Sequence, residues 1–357
     1  MKLLVQRNLR IMLVNRCVIL GAVVLLLLSG TGTGSTQETK TPEVTTLKPA
    51  AEISLKSLLG DSADRRLPTV TALALGAGGR YLAVAGDDHV VRMIDLPAGT
   101  VGEGGSHAVL WEKAGHRDWV RGAVFTPDGQ ALISVDQNGG IRVWGTRDGN
   151  RTVEIRQPVR GARAVAVSPD GTTFAVCGFE KAVRCYRTAD GRETVSFDAP
   201  GGANQAIAYS PDGKRIAVAG RNGTIRLWNT QTQKTDRDLK GDARRVNALA
   251  FSPDGTLLAV GSDGPSILLW NVRDGSIAVT LPERPGKTFS IGFCANDRLA
   301  SGESDNVVRL WDISNARQST DLTGHTGTVT TLLFDVANDR LISGSFDTGV
   351  KFWNIAP

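Results

Sequence analysis

The residues able to do chemistry are few, and their spacing argues against it. The four histidines, His89, His107, His116 and His325, include no pair at metal-ligand spacing. Asp128, Asp170, Asp212 and Asp254 suggest paired carboxylates on paper, yet each is the third residue of a Thr-Pro-Asp-Gly or Ser-Pro-Asp-Gly turn. There proline fixes φ, aspartate bonds back to the turn backbone and glycine takes the position least suited to a side chain. The glycine clusters fall at hairpin tips and near the N-terminus and form no phosphate-binding loop. No catalytic residue, metal site or cofactor is expected, and the chain reads as a non-enzyme.

Those turns recur. Thr126 to Gly129, Ser168 to Gly171, Ser210 to Gly213 and Ser252 to Gly255 stand 42 residues apart each time. A second series marks unit ends: Ile94-Asp95, Trp144-Gly145, Tyr186-Arg187, Trp228-Asn229, Trp270-Asn271, Trp311-Asp312 and Trp353-Asn354. After a first gap of 50, the gaps are 42, 42, 42, 41 and 42. A period of that size means one supersecondary unit is copied, each copy needing its neighbours to cover its apolar faces. In the fifth unit, Arg245 to Phe251 alternates like a half-buried strand, Ser-Pro-Asp-Gly turns it, and Leu257 to Gly261 returns. Ile267 to Asn271 and Ser276 to Leu281 complete four strands. Glycine, 41 residues of 357, suits many tight turns better than long helices.

From about Ile53 to Asn354 the chain resembles the WD-repeat family, whose units carry Gly-His near the start, the turn above, and Trp-Asp at the end. The resemblance implies an all-β fold, a seven-bladed propeller spanning 52–357. Its ring would be closed by the N-terminal strand at about 53–59 joining the last blade. It also implies a structural hydrogen-bond set of histidine, serine, aspartate and tryptophan, complete only in unit seven as His325, Ser343, Asp347 and Trp353. Unit two has His116, Ser134 and Trp144 but Asn138 at the aspartate position. Unit six keeps Ser301, Asp305 and Trp311 without the histidine, and unit five has Gly241-Asp242 in place of Gly-His. Several blades are therefore expected to rest on packing alone. Unit one diverges most, its extra residues lying in a loop from Pro97 to His107.

The N-terminus has a different character. Lys2, Arg7, Arg10 and Arg16 precede the twelve-residue apolar run Val18 to Ser29, small residues follow, and the first acid is Glu38. Residues 1–35 read as a secretory signal; the run is short for a membrane span, and retention as an uncleaved anchor is the alternative. Residues 36–51, rich in Thr, Pro, Lys and Glu, read as a flexible linker. An exported protein follows, periplasmic, cell-surface or secreted, with membrane contact only through an uncleaved N-terminus. Losing four cations takes the formal charge from +5 to +1, which argues against nucleic acid as a partner. Cys177, Cys185 and Cys294 remain. Buried free thiols are the expected state, with a Cys177–Cys185 bridge as the alternative.

In the family, the face carrying the lead-in loop of each blade and the turn between its second and third strands commonly contacts partners. Carried to this sequence, those slots supply Trp119, Arg121, Arg163, Phe179, Arg221, Arg245, Lys287, Phe289 and Phe346. Aromatics beside arginines are the composition of an interaction hot spot, with Trp119 the first choice of contact. The competing reading makes them channel rim and solvated surface. The expected function is a monomeric protein-interaction scaffold whose partner is another protein, with an acidic segment favoured by the basic slots. A propeller hydrolase or lactonase, and a permanent envelope component, are the alternatives.

Overall fold

The structure, a computed structural model, describes residues 44–55, 67–96, 107–156, 158–241 and 244–355. The signal segment, residues 36–43 of the linker, residues 56–59, the loop at 97–106 and Asp242 lie outside them. No helix among the described residues is long and apolar enough to cross a membrane.

Seven sheets, antiparallel except for one added strand, follow one another along the chain and form a ring, as the resemblance implies. The fifth blade shows the pattern: Val246–Phe251, Leu257–Ser262, Leu268–Asn271 and Ile277–Thr280, each paired to the next. The innermost strands of successive blades touch around the channel, and the last, Val329–Asp335, returns to the first, Val70–Gly76.

Alternation explains the ring. Each strand sends side chains to both sheet faces, so each blade has two apolar faces to cover. The buried side chains fall into seven clusters, one at each junction between neighbouring blades. The junction of blades seven and one contains Ile53, Leu55, Val70, Leu82, Val350 and Phe352, so the N-terminal strand helps fill it. That strand is Ala51–Ser54, antiparallel to Gly349–Asn354 and supplying the outermost strand that blade seven lacks.

Two expectations shift here. The closing strand begins at Ala51, inside the segment read as linker. A further strand, Thr45–Leu47, runs parallel to Arg317–Thr323 as a fifth strand on blade six. The composition that marked a linker also contains β-branched threonines, and the outer edge of blade six presents unpaired backbone groups that a passing chain satisfies. Lys48 Nζ adds a bond of 3.1 Å to Thr323 Oγ1.

The Pro-Asp-Gly turns act as read. Asp128, Asp170, Asp212 and Asp254 each accept from the hydroxyl two residues earlier at 2.5 to 2.6 Å. Each also accepts from the backbone N–H two residues later at 3.0 Å. Their glycines take φ between 67° and 72°, where any side chain would be strained. Cys177, Cys185 and Cys294 are free, and the register sets Cys185 opposite Ala175, not Cys177.

Candidate functional site

The structural hydrogen-bond sets show how the blades are held before any partner is considered. In blade seven His325 Nδ1 lies 2.8 Å from Asp347 Oδ2 and Nε2 lies 2.7 Å from Ser343 Oγ, while the Trp353 indole donates to that oxygen at 2.8 Å. Indole only donates, so Ser343 Oγ accepts from Trp353, and the imidazole links that hydroxyl to the Asp347 carboxylate. Burial opposes ionisation of Asp347, but His325 and the N–H groups of Thr326 and Gly349 outweigh it and bring its pKa to about 2.

Blade two has the same set with a different acid. His116 Nδ1 lies 2.8 Å from Asp136 Oδ2, and Asn138 is not used. Asp136 stands two residues nearer Ser134 than the family position, on the same strand, and its carboxylate still reaches the imidazole. Blade six does not rest on packing alone. Arg284 occupies the place of histidine, its Nε donating to Glu303 Oε1 at 2.6 Å. Ser301 donates to the same oxygen at 2.8 Å and accepts from Trp311 at 2.8 Å. Both charged side chains are fully buried, and burial pushes the Glu303 pKa up against its arginine partners. In blade five Trp270 Nε1 has no hydrogen-bond partner among the described residues, and Val260 stands where blades two, six and seven have serine.

A second repeated device escaped the sequence reading. Arg92, Arg142, Arg226, Arg309 and Lys351 on third strands stand directly opposite Glu112, Glu154, Asp238, Asp321 and Glu52 on fourth strands. All five form ion pairs. The signal was present as a basic residue two places before Ile94, Trp144, Trp228, Trp311 and Trp353, whereas Leu268 precedes Trp270.

The predicted contact slots converge on one mouth of the channel. Within a blade, lead-in loop and turn are tied by one recurring bond from turn N–H to loop carbonyl: Gln137 to Trp119, Arg221 to Ala203, Asp263 to Arg245, Ser304 to Lys287 and Phe346 to Thr328, at 2.9 to 3.3 Å. Seven of the nine predicted residues, Arg121, Arg163, Phe179, Arg221, Arg245, Phe289 and Phe346, line a single cavity of about 420 Å³ there. Trp119 and Lys287 are outside it. Trp119 lies beside the cavity with the Arg121 guanidinium 4.6 Å from its ring centre, whereas Lys287 faces Asp263 at 3.9 Å. Trp119, Phe179, Phe289 and Phe346 are the exposed aromatics among the described residues, and all four are on this face. Gly161 makes room for one of them, since a Cβ there would lie 2.3 Å from the Phe179 ring.

The arginines of the mouth differ from those of the blade flanks. Arg121 donates to Gln137 Oε1 at 2.9 and 2.5 Å. Burial, then the like charge of Arg163, brings its pKa down to about 10, still charged at neutral pH. Arg163 lies 4.9 Å over the Phe179 ring, and burial followed by Arg245 lowers it too. The threonines and asparagine of the mouth are structural: Thr71, Asn247 and Thr330 bond to the backbone of Val120, Thr288 and Val70 on neighbouring blades.

Seven closed blades with these hydrogen-bond sets define a WD-repeat β-propeller, a fold that fits a protein-interaction scaffold. The chain belongs to the family described as the IFT122 first beta-propeller, whose model matches residues 119–356. Shorter stretches resemble proteins named Mitochondrial division protein 1. That of Aspergillus clavatus is 39% identical over 55 residues, 15% of this chain and 8% of the relative. That of Chaetomium globosum is 54% identical over 37 residues, 10% of this chain and 6% of the relative. That of Neosartorya fischeri is 45% identical over 42 residues, 12% and 6%. The matched stretches thus span less than a tenth of each relative.

Proposed function

We propose that this chain is a non-catalytic recognition scaffold acting outside the cytoplasm, which binds a partner protein through the channel mouth that carries Trp119 and Arg121. The observation that carries the reading is the gathering of all four exposed aromatics of the described residues, with four arginines, on that one face. Aromatic and arginine anchors around a concavity are the composition of binding hot spots, because they bury much area at low entropic cost and donate many hydrogen bonds. Export rests on the basic and apolar layout of residues 1–35. The division role in the relatives' name belongs to those proteins.

The test is comparative capture from the native extract. The wild-type propeller, a Trp119→Ala, Arg121→Ala variant, and a Gln130→Ala, Lys214→Ala control on the opposite face are used as baits after their folding is verified. A partner retained by wild type and control but lost by the first variant supports the reading. Partners retained by all three refute this face. Fusing residues 1–35 to a reporter active only outside the cytoplasm tests export, and an inactive reporter overturns it.

A further inference from the structure

We propose that Arg163 is the seat of an oxyanion site in the channel mouth, where it takes a carboxylate of an acidic peptide segment whose apolar residues cover Phe179, Phe289 and Phe346. This deepens the reading of that mouth as the binding face and rests on it.

On the blade flanks the arginines are matched by acids across the strand, as Arg226 is by Asp238 at 2.7 Å and Arg92 by Glu112 at 3.2 Å. In the mouth, the Arg163, Arg221 and Arg245 side chains have no ion pair or hydrogen bond to any described residue, although all three line the same cavity. Arg163 is half-buried, its Nε is shielded from solvent without a partner, and the Phe179 ring lies against one side of its guanidinium. Arg121 and Arg245 are close enough that Arg163 depresses the first and is itself depressed by the second. Like charges held together in a partly desolvated cavity disfavour the empty state, and an anion there relieves the repulsion while satisfying the fork of donors.

The surroundings select the kind of anion. The mouth mixes guanidinium groups with three exposed phenyl rings, so a fully polar polyanion would leave those rings uncovered. A cavity of about 420 Å³ admits a few side chains, not a duplex. With a formal charge of +1 beyond residue 35, the basic character is local, which suits a short acidic segment rather than a long polyelectrolyte.

The experiment measures binding of a labelled six-residue peptide alternating glutamate and phenylalanine, against its glutamine counterpart, by fluorescence anisotropy at two salt concentrations. The glutamate peptide is expected to bind, more weakly at higher salt, and the glutamine peptide at least tenfold less tightly. Arg163→Gln is expected to lose at least tenfold in affinity, Arg273→Gln on the opposite face to lose none, and the melting temperature of Arg163→Gln to equal or exceed wild type. Absent glutamate-peptide binding, equal binding of the two peptides, unchanged binding by Arg163→Gln, or a lowered melting temperature overturns the site. So does tighter Arg163-dependent binding of a heparin oligosaccharide or inorganic phosphate, which would assign the anion to another source. Partner capture lost in Trp119→Ala, Arg121→Ala but intact in Arg163→Gln sinks the oxyanion site alone; capture intact in both sinks the face.

Discussion

Glu52 and Lys351, 299 residues apart in sequence, face each other across the last pair of strands, and their side chains form an ion pair. The pair repeats, at the point of ring closure, the cross-strand match of base and acid found in four earlier blades. The N-terminal strand therefore replaces a missing fourth strand in register and in charge, while Ile53 fills the junction of blades seven and one.

Closure should thus depend more on Ile53 than on Glu52. Glu52 is nearly half exposed, but its loss leaves the buried Lys351 without its acid, so Glu52→Ala is expected to cost about 1 kcal/mol. Ile53→Asp places a charge in an apolar cluster and should cost about 3 kcal/mol or more. Thermal unfolding of both variants checks the order, and a larger loss in Glu52→Ala would reverse the assignment.

Asp136, not Asn138, completes the set of blade two. Asp136→Ala is expected to cost about 3 kcal/mol, since it removes the His116 bond and leaves the buried Arg142 without one of its acids. Asn138→Ala should stay within about 0.5 kcal/mol. Denaturant titration of the two variants decides between them.

The buried pair of blade six should show strong coupling. Glu303→Ala leaves Arg284 charged and buried without its partner and is expected to cost about 3 to 5 kcal/mol. Replacing both with apolar residues, Arg284→Met with Glu303→Leu, should recover much of that loss. A double-mutant cycle that returns simple additivity contradicts the pairing.

The Asp347 carboxylate sets a pH dependence. Its pKa falls from the ordinary 3.8 to about 2 on folding, so its stabilisation is fully present above about pH 4 and disappears as pH falls through about 2. The amount is at most about 2 kcal/mol. Denaturation of wild type and Asp347→Asn between pH 5 and 2 should give curves that converge toward the acid end.

Burial pushes the Cys177 and Cys185 thiols up to about 12, so neither forms appreciable thiolate at neutral pH. Both should resist a thiol-specific chromogenic reagent in the native protein and react on unfolding.

What the sequence determined by itself was most of what repeats: seven units, their Pro-Asp-Gly turns, the closing strand's side of the ring, and the slots that face one mouth; the repeated cross-strand ion pairs needed the register of the sheets. Local turn chemistry and period-2 alternation are properties of neighbouring residues, so the period carries them from unit to unit. Exceptions to the repeat were decided by tertiary structure. Asp136 replaces Asn138 because its carboxylate, at the end of the strand that carries Ser134, already reaches the imidazole. Arg284 reaches Glu303 from a lead-in loop with no histidine, and Thr45–Leu47 finds the open edge of blade six, a partner more than 270 residues away. The mouth divides in the same way. Spacing placed Trp119, Arg163 and Phe179 on one face, but only the closed ring shows that Arg163 has no carboxylate among the described residues while Lys287 has one, because charge pairing depends on distances between blades that no single unit encodes.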